Sequence, residues 1–491
     1  MTRLSETQGL PDDVRVPAYD RAALGEGIVH LGLGAFQKSH LAVYTDDALA
    51  RSGGDWRIVG VSLRSDQAVR DLTPQNGLFT VIEAGVDGTQ ARVVGAVSRA
   101  LAHAHGDAEA VRAVLADPAT RIVTITVTEK GYGLDRARGG ADPQHPAIAH
   151  DLVHPEAPVG VAGLLVQALA ARRAAGVPPF TILSCDNLPG NGDLVRGLIL
   201  DVAGRRDPAL RDWIAGAVAC PNAMVDRITP APDAEVRAMA AAMTGRTDAG
   251  AILTERFRQW VIEDRFPEGR PDWEAGGALF VEDVAPYEHM KLRMLNGSHS
   301  MIAYAGVLTG HTHVRDVMAD AALARLVRRH LAAAAATLAP LPGIDFAAYG
   351  DDLARRFANP HLAHRTAQIA MDGTEKMPQR IYAPARDART GGQDLRPFAF
   401  ATALWMRFAL GRHDDGTTFD LNDPRSDEIA ARLQGATTAP GILAALTGEG
   451  SFLPTDLADD TTFAGVVTDI LADLLERGAA ATIADEARAA G

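Results

Sequence analysis

Lys291, Asn296 and His299 stand in one run, Lys291-Leu-Arg-Met-Leu-Asn296-Gly-Ser-His299. Together they carry the groups needed to move a proton and to hold a charged oxygen. A lysine whose ammonium is desolvated titrates closer to neutrality and can act as a base. An amide and an imidazole can donate hydrogen bonds to an oxygen that gains negative charge during hydride transfer. On an α-helix Asn296 falls about 140° from Lys291 and His299 about 80° from it, so one helix can turn all three to one side. A polar stripe on a domain interface would show the same spacing. Composition adds weight to the lysine. Only four of the 48 basic residues are lysines: Lys38, Lys130, Lys291 and Lys376. Arginine serves as well for surface charge but cannot lose its proton, so each lysine is a candidate for special chemistry, with chance survival as the alternative.

The second pattern is Ile28-Val29-His30-Leu31-Gly32-Leu33-Gly34-Ala35-Phe36-Gln37. A short strand runs into two glycines that permit a tight turn and close approach of backbone to a pyrophosphate. A helix opening at this point offers its N-terminal N–H groups to phosphate. The third glycine of the dinucleotide fingerprint is absent, because Gln37 stands there. After the next strand, Asp66 is the candidate partner of an adenosine ribose. Arg64, two residues earlier, could hold a 2′-phosphate, so NAD is expected and NADP is not excluded. A solvated loop of mixed charge is the alternative for this pair.

The elements that must position these residues fall into two sets. The first half alternates apolar β-type runs with helical stretches. Strands are expected at 28–32, 56–63, 121–128 and 180–185, with helices at 36–50 and 161–174. That alternation predicts an α/β fold with a parallel sheet covered on both faces. From Tyr287 onward nearly everything reads as helix, at 287–308, 317–338, 400–410 and 463–477. The expected division is a Rossmann-like cofactor domain over 1–285 and a mostly α-helical C-terminal domain over 286–491.

The 491-residue length suits two domains. A net charge of −14 argues against nucleic acid and anionic lipid as partners. Two distant cysteines, Cys185 and Cys220, make neither a disulfide framework nor a Cys-rich zinc site. No membrane span and no secretory leader is read, so the expected setting is the cytoplasm.

These motifs carry a resemblance. The chain resembles the long-chain polyol-specific dehydrogenase/reductase family, which includes mannitol 2-dehydrogenase and fructuronate reductase. The matching residues run from Gly32-Leu-Gly34-Ala-Phe36-Gln-Lys-Ser-His40 through Thr128-Glu-Lys-Gly-Tyr132, Ser184-Cys-Asp186-Asn187 and Met224-Val-Asp226-Arg227-Ile-Thr-Pro230. They continue through Gln259-Trp260-Val-Ile-Glu263-Asp264 and Lys291–His299 to Met371-Asp-Gly373 and Lys376. The resemblance implies a metal-independent enzyme with its active site between the two domains. It implies Lys291 as general acid/base, with Asn296, His299 and Asn187 polarising the reacting oxygen. Asp226 and Lys376 match substrate-site residues, and Glu288 matches a carboxylate that exchanges protons with solvent. Gly32, Gly34, Ala35, Phe36, Asp66, Glu129, Lys130 and Gly131 lie where the coenzyme would sit. Lys38 departs from an arginine common in the family.

Gln368 occupies a position where mannitol dehydrogenases tend to carry a substrate-binding arginine. The segment Met371–Arg380, the run from Lys291 and the stretch Thr126–Gly131 look more like fructuronate reductases. The expected reaction is therefore reduction of D-fructuronate to D-mannonate, with mannitol 2-dehydrogenase as the alternative. Arg293 or Arg380 could hold the carboxylate, against a structural role for each. The expected partners are small sugar alcohols, ketoses or keto-sugar acids, and the assembly a monomer or homodimer. Three other readings carry less: a short-chain dehydrogenase using the Tyr287-x3-Lys291 pair, a zinc enzyme using His289 and His299, and a non-catalytic NADH-binding protein.

Overall fold

In the computed structural model, residues 1–135, 139–448, 450 and 452–490 are described. The chain forms two compact units, Met1–Ala285 and Pro286–Gly491.

The first unit is built on five parallel strands: β1 (Glu26–Leu31), β2 (Arg57–Ser62), β3 (Val97–Ala102), β4 (Ile122–Ile125) and β5 (Thr181–Ser184). Their spatial order is β3-β2-β1-β4-β5. This is the Rossmann-like order, in which the chain reverses direction beside β1 and opens a crevice at the strand C-termini. The strands read as continuous apolar runs because both faces are buried. On one face Val29, Leu31, Val59, Val61, Val123 and Ile125 pack with Leu165, Leu169, Leu198 and Ile199 of the helices Val161–Ala175 and Asn191–Arg206. On the other, Ile28, Ile58 and Ile122 pack with Leu41, Tyr44, Trp260 and Trp273.

That second face holds strands the sequence pattern did not announce. Phe79–Gly85 and Gly88–Val94 pair as an antiparallel hairpin, joined in parallel by Ile252–Glu255. Ala223–Asp226 pairs antiparallel with Gln259–Glu263, which is joined by Leu279–Val281. The helix expected over 36–50 is two helices, Ala35–Ser39 and Leu41–Ser52, broken at His40, whose φ of −113° and ψ of −85° leave the helical region. The strand expected to reach Thr128 stops at Ile125.

The second unit is mostly helical. The expected long helix from Tyr287 is one helical run of three kinds. Ala285–Met290 is α, Lys291–Asn296 is a π-turn and Gly297–Thr309 is α again. The helix expected over 317–338 is divided at Asp320, whose carboxylate caps Ala321–Ala336 by accepting from the N–H groups of Ala322 and Leu323. Among the described residues no helix is long and apolar enough to cross a membrane.

Candidate active site

In the first unit the site begins with the turn after β1. Gly32 has φ +105°, and a Cβ there would lie 2.1 Å from the Thr126 carbonyl oxygen, so only glycine fits. Gly34 opens the next helix, and the nearest heavy atom to a Cβ there, Gly32 O, is 3.7 Å away. That helix has only five residues, so its contribution to an anion is a few local N–H groups rather than a long dipole. Below the turn sits His30, fully buried. Its Nδ1 pairs with Thr124 Oγ1 at 2.8 Å, and its Nε2 with Thr126 Oγ1 at 2.8 Å and Gly32 O at 3.1 Å. Burial pushes its imidazole down to about 3.

A cavity of about 910 Å³ opens from this turn, lined by Gly32, Gly34, Arg64, Arg112, Gly131 and His150 among others. Its size and its backbone-lined mouth suit a dinucleotide. Asp66 does not line it. Its carboxylate instead accepts from Arg70 at 2.6 Å. Ala35 and Phe36 start the short helix, and Phe36 stacks on His40 with centroids 4.9 Å apart. Glu129, Lys130 and Gly131 lie on the helical turn Glu129–Tyr132, entered through Thr128 at φ +66°. Lys38 donates to Gly250 O at 2.7 Å, away from the cavity lining.

The unusual φ of Thr128 is held by Asp186, a residue that the sequence marked only as the neighbour of Asn187. The Asp186 carboxylate accepts from the N–H groups of Val127 (2.9 Å) and Thr128 (3.1 Å) and from Tyr132 OH (2.7 Å). Burial raises its pKa against these bonds. Such over-determination is what keeps a non-glycine residue at positive φ. Asp186 thereby ties the Glu129–Gly131 turn to the loop after β5 that carries the exposed Asn187. Asp226 is buried at the end of its strand, beside Gln259. His40, whose Nε2 pairs with Gln259 O at 3.0 Å, feels its charge.

In the second unit, Lys291, Asn296 and His299 are all buried. The π-turn corrects the expected angles. Its opening to i→i+5 bonding, seen in the Gly297 N–H donating to Leu292 O, amounts to one extra residue in an α-helix. With that residue discounted, Asn296 and His299 sit at α-equivalent spacings of about four and seven from Lys291. They then lie about 40° and 20° from it rather than 140° and 80°. The lysine, amide and imidazole therefore share one stripe. The sequence gives no signal for the π-turn, since Lys291–Asn296 contains neither proline nor glycine.

Two nitrogens on this stripe have no partner among the described residues: Asn296 Nδ2 and His299 Nε2 are sealed from solvent and unbonded. Leaving such a group unmet costs about 1–3 kcal/mol, a cost that a ligand oxygen within reach of both would remove. The His299 ring packs against Phe357 (4.6 Å) and edge-on to His364 (5.3 Å). Burial holds it well below the usual imidazole range, helped by the charges of His364, Arg380, Arg356 and Lys291. It is neutral at pH 7.

Glu288 lies one turn before Lys291 and is partly buried. Lys376 donates to the carbonyl oxygens of Ile369 (3.2 Å) and Met371, and burial followed by the Arg380 charge pushes it down to about 8. Gln368 is exposed on the short helix Thr366–Ile369. Arg293 is occupied by Thr337 O, Thr337 Oγ1 and Asp387, a structural engagement. Among the described residues no three His, Cys, Asp or Glu side chains converge as a metal site would need, and His289 is exposed while His299 is buried.

Comparison with known proteins gives these features a lineage. The chain is 42% identical to D-mannonate oxidoreductase of Escherichia coli (strain K12), with 95% of this chain and 97% of that one covered. It is 39% identical to mannitol 2-dehydrogenase of Phaeosphaeria nodorum, covering 97% of this chain and 84% of that one. The solved Pseudomonas fluorescens mannitol 2-dehydrogenase, a ternary complex with NAD and D-mannitol, matches with a TM-score of 0.86 at 35% identity and 99% coverage of both chains. Residues 26–275 match the model of the mannitol dehydrogenase Rossmann domain, and residues 283–475 that of the mannitol dehydrogenase C-terminal domain. The chain belongs to the mannitol dehydrogenase family.

Proposed function

We propose that this oxidoreductase reduces D-fructuronate to D-mannonate with NADH, using Lys291 as its general acid/base. The observation that carries the chemistry is the single stripe holding Lys291 with the unpartnered donors of Asn296 and His299. A nicotinamide cofactor bound over the Gly32–Gly34 turn supplies the hydride. The chain's own residues do the rest. Asn296 Nδ2 and the neutral His299 Nε2–H donate to the carbonyl oxygen and strengthen as it becomes an alkoxide. Asn187 adds a third donor. Lys291 as ammonium gives its proton to that oxygen; in oxidation the neutral amine takes the hydroxyl proton, so oxidation speeds up with rising pH until the base is fully deprotonated. Asp226 and Lys376 bind substrate hydroxyls, and Glu288 relays the proton towards solvent. Gly32, Gly34, Ala35, Phe36 and Glu129–Gly131 hold the cofactor.

Two observations support the keto-sugar acid over mannitol. Gln368 replaces the arginine expected of a mannitol dehydrogenase, and the D-mannonate oxidoreductase relative is somewhat more similar than the mannitol 2-dehydrogenases. The test is the loss of NADH absorbance with purified protein on D-fructuronate and on D-fructose. A kcat/KM higher on fructuronate supports the reading. Preference for fructose makes the protein a mannitol 2-dehydrogenase and removes the argument from Gln368.

A further inference from the structure

We propose that Arg380 binds the carboxylate of the substrate and is the residue that separates sugar acids from neutral ketoses. This rests on the keto-sugar-acid reading above. Arg380 lies in a second π-turn, Pro378–Tyr382, packed against the first, Lys291–Asn296. The contact depends on Gly297, where a Cβ would come within 2.8 Å of the Arg380 carbonyl oxygen. The guanidinium is thereby brought to the stripe that carries the reacting groups. Its Nη1 donates two long bonds, to Asn296 O (3.4 Å) and to Ser300 Oγ (3.3 Å). Ser300 is one turn beyond Asn296, so the fork lies next to the amide that would hold the reacting oxygen.

Arg380 is partly buried, and it differs from four more deeply buried arginines in what it meets. Arg92 is paired with Asp46 and Asp47, Arg227 with Glu83 and Arg407 with Asp414, while Arg172 caps three carbonyl oxygens. Arg380 meets no carboxylate among the described residues. Its Nε and Nη2 make no hydrogen bond there and are not sealed from solvent, unlike the neighbouring Asn296 Nδ2 and His299 Nε2. Burial lowers its pKa to about 10, in line with a cation short of a counter-ion. A half-desolvated guanidinium with two open donors presents the planar fork that matches a carboxylate. A substrate carrying an anionic end would supply the missing charge. A neutral hexitol would leave the cation uncompensated, which is unfavourable away from bulk water.

The experiment compares wild type, Arg380→Gln and Arg380→Lys on D-fructuronate and D-fructose, with D-mannonate and D-mannitol as competing inhibitors and thermal unfolding as a check on folding. Arg380→Gln is expected to lower the fructuronate-to-fructose ratio of kcat/KM roughly 100-fold, mainly through the KM for fructuronate, with Arg380→Lys recovering part of it. The advantage of D-mannonate over D-mannitol as inhibitor should fall by a similar factor. Equal losses on both substrates, or an unchanged ratio, overturn the inference. If the wild type prefers fructose, the substrate reading fails on its own, and the inhibitors then decide on Arg380. D-mannonate inhibiting Arg380→Gln as tightly as wild type sinks it.

Discussion

His30 in the first unit and His299 in the second are both buried imidazoles held neutral by desolvation, yet their surroundings are opposite. His30 has a partner for each ring nitrogen, in Thr124, Thr126 and the Gly32 carbonyl. It is a strut beneath a turn whose own work is done by backbone. His299 has an unbonded Nε2, beside an equally unbonded Asn296 Nδ2. His30 is thus tied into the fold through both ring nitrogens, while His299 keeps one nitrogen open to a ligand. The same contrast runs through the two units. The cofactor region is shaped by glycines and main-chain geometry, and the helical region by side chains on a displaced helical register.

The comparison can be broken most easily at Lys291. Lys291→Ala should lower turnover by about 10²–10⁴-fold while NADH still binds, as read by fluorescence titration. Retained turnover would dismiss the whole assignment of the stripe. Next come matched substitutions of the two histidines. His299→Leu should lower kcat roughly 100- to 1000-fold and leave the Tm nearly unchanged, because the nitrogen it removes has no partner. His30→Leu should do the reverse. It orphans Thr124 and weakens the hold on Gly32, so the Tm should drop by several degrees, about 2–3 kcal/mol, with a smaller effect on kcat. Similar outcomes for both would erase the distinction.

The smallest effect is in the pH dependence of stability. The folded pKa of His30 is depressed from 6.5 to about 3 and that of His330 to about 4, chiefly by burial. Below pH 6.5 the unfolded chain takes up protons that the folded chain refuses. Stability is therefore full above 6.5 and declines as pH falls towards the folded values. Urea midpoints at pH 7 and pH 5 should differ in that direction, and His30→Leu should shrink the difference. A midpoint that rises on acidification contradicts the sign.

Much of the plan was legible in the chain. Continuous β-branched runs announced a sheet buried on both faces, and Gly32-Leu-Gly34 announced its turn, because hydrophobic periodicity and the steric freedom of glycine are local properties. The helical second half and the three chemical residues of the Lys291 run were equally plain. The auxiliary strands were not, since Ala223–Asp226 and Gln259–Glu263 are four and five residues long and gain their identity only by pairing. His40 interrupts a helix that its sequence would continue, because its ring is drawn to Gln259 and Trp260.

By itself, then, the sequence determined which groups are available: one lysine, one amide, one imidazole at fixed spacing, and a glycine turn after the first strand. The tertiary structure decided how they meet. Packing of one π-turn on another across Gly297 rotates Asn296 and His299 onto the Lys291 stripe and brings Arg380 to its side. Asp186 bends Thr128 into a conformation that its own side chain disfavours. Both depend on contacts between residues tens of positions apart, and such contacts leave no periodic trace along the chain.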